Sequence, residues 1–172
     1  FLTAILPQLS DFIRTAHLSI PTPVTTNQIV TTNYACRILQ GKPMAQFHLT
    51  NGDRFFYKDG HFSDFYAHDA MRKFPDEGRA EDFPGPIKIT ENEATSMCEN
   101  EMRKLGYKGT FPKPIPTYGV PRGNMTFKRY IFYWRRPGED TEFASFEVDM
   151  ETKAIKSIFL ADPSFQREPP KL

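Results

Sequence analysis

The chain has 172 residues and a mass of 19.9 kDa, with 22 basic and 21 acidic side chains, 39% hydrophobic residues and 25% charged residues. These proportions fit one globular domain or two small halves with a real core, and they argue against disordered, collagen-like or disulfide-scaffold chains. A formal net charge of +1, spread along the sequence, gives no electrostatic case for nucleic acid or an anionic membrane, and no apolar stretch approaches the roughly 18 to 20 residues of a membrane span.

In chain order, Leu2 to His17 places Leu2, Ile5, Leu6, Leu9, Phe12, Ile13 and Ala16 on one helical face, an extra packing helix with Pro7 expected near its first turn. Thr25-Thr26-Asn27-Gln28 and Thr90-Glu91-Asn92-Glu93 then form an internal echo at a separation that also brings Gly41 onto Gly106. Each copy opens with a Thr and a Gln or Glu three residues later, the capping-box pattern, and each ends on a Gly suited to the left-handed position beyond a helix. The second copy predicts a helix over Glu91 to Leu105, with Ala94, Met97, Cys98, Met102 and Leu105 at helical spacing. For the first copy a helix is preferred, although Thr31, Thr32 and the run Tyr34 to Leu39 also suit a strand.

A β-rich stretch follows each predicted helix. Met44 to Leu49, Arg54 to Lys58 and Phe62 to Ala67 are broken by Asn51-Gly52 and Asp59-Gly60, and read as a three-strand meander. Thr126 to Arg135, Glu142 to Asp149 and Ala154 to Leu160 form a second meander. The last strands rhyme, Phe65-Tyr66-Ala67 against Phe159-Leu160-Ala161. At the Asp59-Gly60 hairpin a three-residue turn with a bulge, pairing Phe56 with Phe62 and Arg54 with Asp64, is preferred over a two-residue turn pairing Tyr57 with Phe62 and Phe55 with Asp64, because it joins opposite charges. Phe74 to Pro86 reads as a linker, Tyr107 to Gly123 as a Pro- and Gly-rich irregular region, and the residues after Pro163 as a tail. The expected units are 1–80, 86–165 and a tail over 166–172.

Local chemistry is sparse. His61, Asp64, His68 and Asp69, with His48 on an earlier strand, form the one His-rich neighbourhood, but strand alternation points His61 and Asp64 to opposite faces and no H-E-x-x-H pattern is present. There is no G-x-S-x-G, Walker loop, Rossmann glycine pattern or deaminase signature. Catalytic, cofactor-binding and metal-binding residues are therefore expected to be none. Cys36 and Cys98 belong to no C-x-x-C pair, and their oxidation state is left open. The strongest surface candidate for a protein partner is Tyr130, Phe132 and Trp134 with Arg135 and Arg136, since Tyr, Trp and Arg anchor interfaces. Alternation puts the three aromatics on one strand face, which can equally be the face that packs on the helix from Glu91; the interior is the preferred reading.

The second half resembles the PepSY and PepSY-like family. Ile89-Thr90-Glu91-Asn92-Glu93-Ala94 looks like its helix opening, and Phe146 to Ile155 looks like its closing strand-turn-strand signature, with Lys153 where the family usually has Gly. The resemblance implies an α+β fold of two tandem cystatin-like halves, each a helix packed on an antiparallel meander, plus the N-terminal helix, an architecture similar to β-lactamase inhibitor proteins. It also implies a secreted or periplasmic setting, to which a chain starting at Phe1 rather than Met adds the expectation of a trimmed leader. The function it implies is non-enzymatic binding of a protein, a peptidase or an envelope component, as an inhibitor-like regulator. The alternatives are a small-ligand binder or enzyme with His48, His61 or Asp64 lining a cavity, and a purely structural domain.

Overall fold

The computed structural model describes residues 2–33, 44–68, 86–119, 129–161 and 165. Within them lie two α-helices, α1 (Leu2–Thr15) and α2 (Glu91–Lys104), and eight strands: β1 (Ile29–Asn33), β2 (Met44–Leu49), β3 (Arg54–Lys58), β4 (His61–Tyr66), β5 (Ile115–Gly119), β6 (Arg129–Arg135), β7 (Glu142–Asp149) and β8 (Ile155–Leu160). All pairings are antiparallel and build one sheet of order β1-β2-β3-β4-β8-β7-β6-β5. The chain is α+β, and its two meanders share that sheet because β4 pairs with β8. Read outward from this seam, the strand order is the same on both sides: the last strand of each meander is innermost and the first is at the edge. Of the expected linker from Phe74 to Pro86, all but Pro86 lies outside the described residues, as do Cys36, Gly41 and the expected tail 166–172.

The expected helix after Thr25 is corrected. Gln28 Oε1 accepts the Thr25 N–H at 2.8 Å, so the capping arrangement forms, but it caps only a 3₁₀ turn (Thr26–Gln28) and the chain goes straight into β1. The β-branched run Ile29-Val30-Thr31-Thr32 favours the extended backbone and overrides the cap. The helix of the first half is instead α1, which lies over β4 as α2 lies over β6. Pro7 stands in the second turn of α1 rather than the first. The region after Tyr107 is corrected too, since it contains β5; Pro116 is tolerated because β5 is an edge strand.

The two helices end alike. At α1 the Leu18 N–H reaches the Ile13 carbonyl (3.0 Å) and the His17 N–H reaches Arg14 (3.3 Å), while His17 has φ +49°. At α2 the Tyr107 N–H reaches Met102 (3.0 Å) and the Gly106 N–H reaches Arg103 (3.1 Å), with Gly106 at φ +109°. Both are Schellman endings. They put Ile5, Leu9, Ile13, Ala16 and Leu18 in step with Ala94, Cys98, Met102, Leu105 and Tyr107, all buried. The Thr25/Thr90 echo, by contrast, leads into a strand in one copy and a helix in the other.

The core lies between the helices and one face of the sheet. A continuous row crosses the six inner strands through directly paired residues, Phe47, Phe55, Phe65, Ile158, Phe146 and Phe132. None is more than 3% exposed. Phe12 of α1 packs edge-on against Phe55 at 6.2 Å and also meets Phe62, while Phe132 stands beside Trp134 and Tyr130 at 5.7 Å each. The Tyr130 hydroxyl donates to the Ile89 carbonyl at 3.3 Å, tying β6 to the start of α2. There Glu93 N–H donates to Thr90 Oγ1 and Glu93 Oε2 accepts the Thr90 N–H at 2.8 Å, the predicted capping box.

The β3–β4 hairpin adopts neither expected register throughout. Asp59 (φ +52°) and Gly60 (φ +86°) form a two-residue turn, so Lys58 faces His61 and Tyr57 faces Phe62. A bulge at Ser63 then shifts the ladder, bringing Phe56 opposite Asp64, Phe55 opposite Phe65 and Arg54 opposite Tyr66. The bulge lets Phe62 and Phe65, three residues apart, both enter the core. The Phe65/Phe159 rhyme does not preserve faces, because Phe65 is buried in the core while Phe159 lies half-buried among residues of the opposite face.

At the β7–β8 turn, Asp149 Oδ1 accepts the N–H groups of Glu151 (3.0 Å) and Thr152 (2.7 Å) and the Thr152 hydroxyl (2.9 Å). Lys153 has φ +61°, the left-handed conformation that glycine takes without steric cost. Lys153→Gly should therefore stabilise the chain by about 1 kcal/mol, and Gly106→Val should destabilise it by about 1 kcal/mol or more. Urea midpoints of the two variants should move in opposite directions from the parent; a shared direction contradicts this backbone account.

Candidate functional site on the helix-free sheet face

Strand alternation divides the sheet side chains between the core and a second face, which carries no helix among the described residues. Two rows of that second face are continuous across the seam. One runs Gln46, Phe56, Asp64, Phe159, Ser145, Tyr133; the next runs His48, Arg54, Tyr66, Ser157, Glu147, Ile131. All except Glu147, which is buried, are half-buried rather than enclosed.

The centre of the face is Asp64. The bulge at Ser63 moves it away from Arg54, its expected counter-ion, and sets it between Phe56 of β3 and Phe159 of β8. Ser63 Oγ donates to Asp64 Oδ2 at 2.5 Å, and no ion pair to Asp64 forms among the described residues. Burial raises the carboxyl to about 6, against the opposing pull of the Ser63 hydrogen bond and the charge of Lys58. Burial, with Asp64 next to it, also carries the Tyr66 hydroxyl up to about 12. Tyr66 stands edge-on to Phe56, with ring centroids 5.8 Å apart. Further along the face, Arg129 Nη1 donates to Glu147 Oε1 at 2.5 Å, a buried pair.

The expected surface cluster is split by the structure. Tyr130, Phe132 and Trp134 are 7%, 0% and 0% exposed, so the interior reading of the stripe holds and these three offer no contact surface. The reason is α2, which covers β6 on that side. Arg135 and Arg136 are exposed; Arg136 reaches Glu139 at 3.4 Å and stands 5.2 Å from the Phe143 ring centroid. The His-rich neighbourhood is not assembled either. His61 flanks the Asp59-Gly60 turn and, contrary to simple alternation, shares the face of Asp64 because the bulge at Ser63 intervenes; His48 lies two strands away in the row beside Asp64, the His68 backbone N–H is held by Asp53 Oδ1 at 2.9 Å, and Asp69 is outside the described residues. Burial lowers the His48 and His61 imidazoles, with Arg54 adding to the effect at His48. Among the described residues no group of three or more His, Cys, Asp or Glu side chains could hold a metal ion. Cys98 is a buried free thiol that burial pushes well above its ordinary range. No helix among the described residues is long and apolar enough to cross a membrane.

Phe56, Tyr66 and Phe159 are the residues of this face to which the sequence pattern alone gives no functional role. The available signal was that consecutive aromatics in a strand cannot all face one core. No family model, curated protein or solved structure matches the chain.

Asp64 has a stability signature with a definite sign. Its folded pKa is raised above the unfolded value, so the folded state binds the extra proton between about pH 4 and pH 6 and stability falls as pH rises through that window, by about 2 kcal/mol after allowance for partial exposure. Asp64→Asn should lack this fall: it should unfold at higher urea than the parent at pH 7.5 and converge with it near pH 3.5. An equal offset at both pH values contradicts the assignment.

Proposed function

We propose that the chain is a non-enzymatic protein-binding module that receives its partner on the helix-free face of the sheet. The observation that carries this reading is the make-up of that face: Phe56, Tyr66, Ile131, Tyr133 and Phe159 partly exposed in two rows, interspersed with Arg54, Asp64 and Glu147. Large rings with charges among them supply contact area and orientation together, the composition that protein interfaces favour.

On the proposed reading the two halves are PepSY-like repeats fused into one sheet. The matched endings of α1 and α2 and the mirrored strand order support it. So does the left-handed Lys153, which takes the backbone conformation expected at the usual Gly of the family turn. The secreted or periplasmic setting and a peptidase or envelope component as partner belong to the same proposal and rest on the resemblance alone.

The test is capture of binding proteins from a cell-envelope extract with the parent, Ile131→Glu and Tyr133→Glu, using Val30→Glu on edge strand β1, where Val30 is 61% exposed, as the control. A protein retained by the parent and the control but reduced at least tenfold by both face variants supports the reading, and inhibition assays follow if that protein is a peptidase. Equal retention by all four chains contradicts it.

A further inference from the structure

We propose that Asp64 and the rings around it form a receptor site for an arginine side chain of the partner protein. This rests on the reading of the helix-free face as the binding surface and adds the chemistry that the face selects.

The argument begins with an imbalance of charge. A carboxylate set among aromatic rings is costly to ionise unless a cation or several donors compensate it. Asp64 has Phe56 directly opposite on one neighbouring strand and Phe159 directly opposite on the other, with Tyr66 next to it on the same face of β4. Its hydrogen-bond donor among the described residues is the Ser63 hydroxyl on Oδ2. The charged and titratable groups nearest on the same face are Lys58 and Arg54 of β3 and His61 and Tyr66 of β4; from β8, Phe159 and Ser157 face it and carry no charge. Lys58 and Arg54 make no ion pair with it, the bulge having set Arg54 against Tyr66 instead.

What this arrangement lacks is a cation in contact with the carboxylate, and its walls select which kind. An ammonium is strongly hydrated and gains little from flat walls. A guanidinium is weakly hydrated, stacks on aromatic faces and donates in the plane of a carboxylate. Phe56, Tyr66 and Phe159 supply the faces, and Asp64 supplies the acceptor. The partly exposed rings leave the site reachable from solvent.

The test uses the full chain and Nα-acetyl-arginine methylamide as the probe, with Nα-acetyl-norleucine methylamide as its neutral counterpart. Binding is read from the NMR shifts of the Asp64 carboxyl carbon and of the Phe56, Tyr66 and Phe159 rings. The expected result at pH 7.5 is a saturable shift with the arginine probe, at least tenfold weaker binding of the same protein at pH 4.5, and loss of the shift in Asp64→Asn. Trp134 emission checks that the variant is folded. Equal binding of the neutral probe, or binding unaffected by both protonation and Asp64→Asn, overturns the proposal. In the capture experiment, a partner released by Tyr133→Glu but held unchanged by Asp64→Asn overturns the arginine site and leaves the binding face standing. Retention by every variant overturns both.

Discussion

The row Phe47, Phe55, Phe65, Ile158, Phe146 and Phe132 holds the molecule together, because it is the one set of directly paired core side chains that passes from the first meander into the second. Its central step is Phe65 against Ile158, on the seam between β4 and β8. Without that step each meander would present a long apolar strand as an open edge, with unpaired backbone groups and half a core. With it, both inner strands are covered and the edges are left to β1 and to the Pro-containing β5. The seam also creates the opposite face: the pairing that joins Phe65 to Ile158 sets Asp64 beside Phe159.

The two helices are equivalent in their endings and buried positions, and the place where they differ is informative. Phe12 of α1 packs into the first core against Phe55 and Phe62. The residue in step with it on α2 is Glu101, also buried, whose carboxylate takes His17 Nδ1 and Lys104 Nζ at 2.9 Å each. Glu101 thus makes a polar contact between the end of α1 and α2 where α1 carries a phenylalanine. Glu101 is the buried member, so losing both partners leaves its carboxylate uncompensated, whereas His17 and Lys104 stay in contact with water.

Much of the fold was legible in residue pattern. The boundaries of β2, β3 and β7 follow from turn chemistry at Asn51-Gly52, Asp59-Gly60 and Pro137-Gly138, and α2 follows from its capping box and apolar spacing. What misled was a cap read without its sequel: Thr25 and Gln28 form the same local hydrogen bond as Thr90 and Glu93, but a β-branched run follows the first pair and a helical stripe follows the second. The seam was not legible, since no local signal says that β4 will pair with a strand ninety residues away. The candidate site was hidden for a related reason. Whether Asp64 meets Arg54 or two phenylalanines depends on a one-residue bulge at Ser63, and that bulge is set by the demand of Phe62 and Phe65 for the same core.

The central claim is that the seam makes the two meanders one cooperative unit. Trp134, the only tryptophan, reports on the second meander alone, whereas far-UV ellipticity reports on both. Urea unfolding of the parent and of Phe65→Ala, followed by both signals, tests the claim most directly. The account predicts coincident transitions in each protein, with the variant destabilised by about 3 to 5 kcal/mol in both signals although Phe65 lies in the other meander. A Trp134 transition that stays in place while the ellipticity curve splits or shifts alone would contradict it.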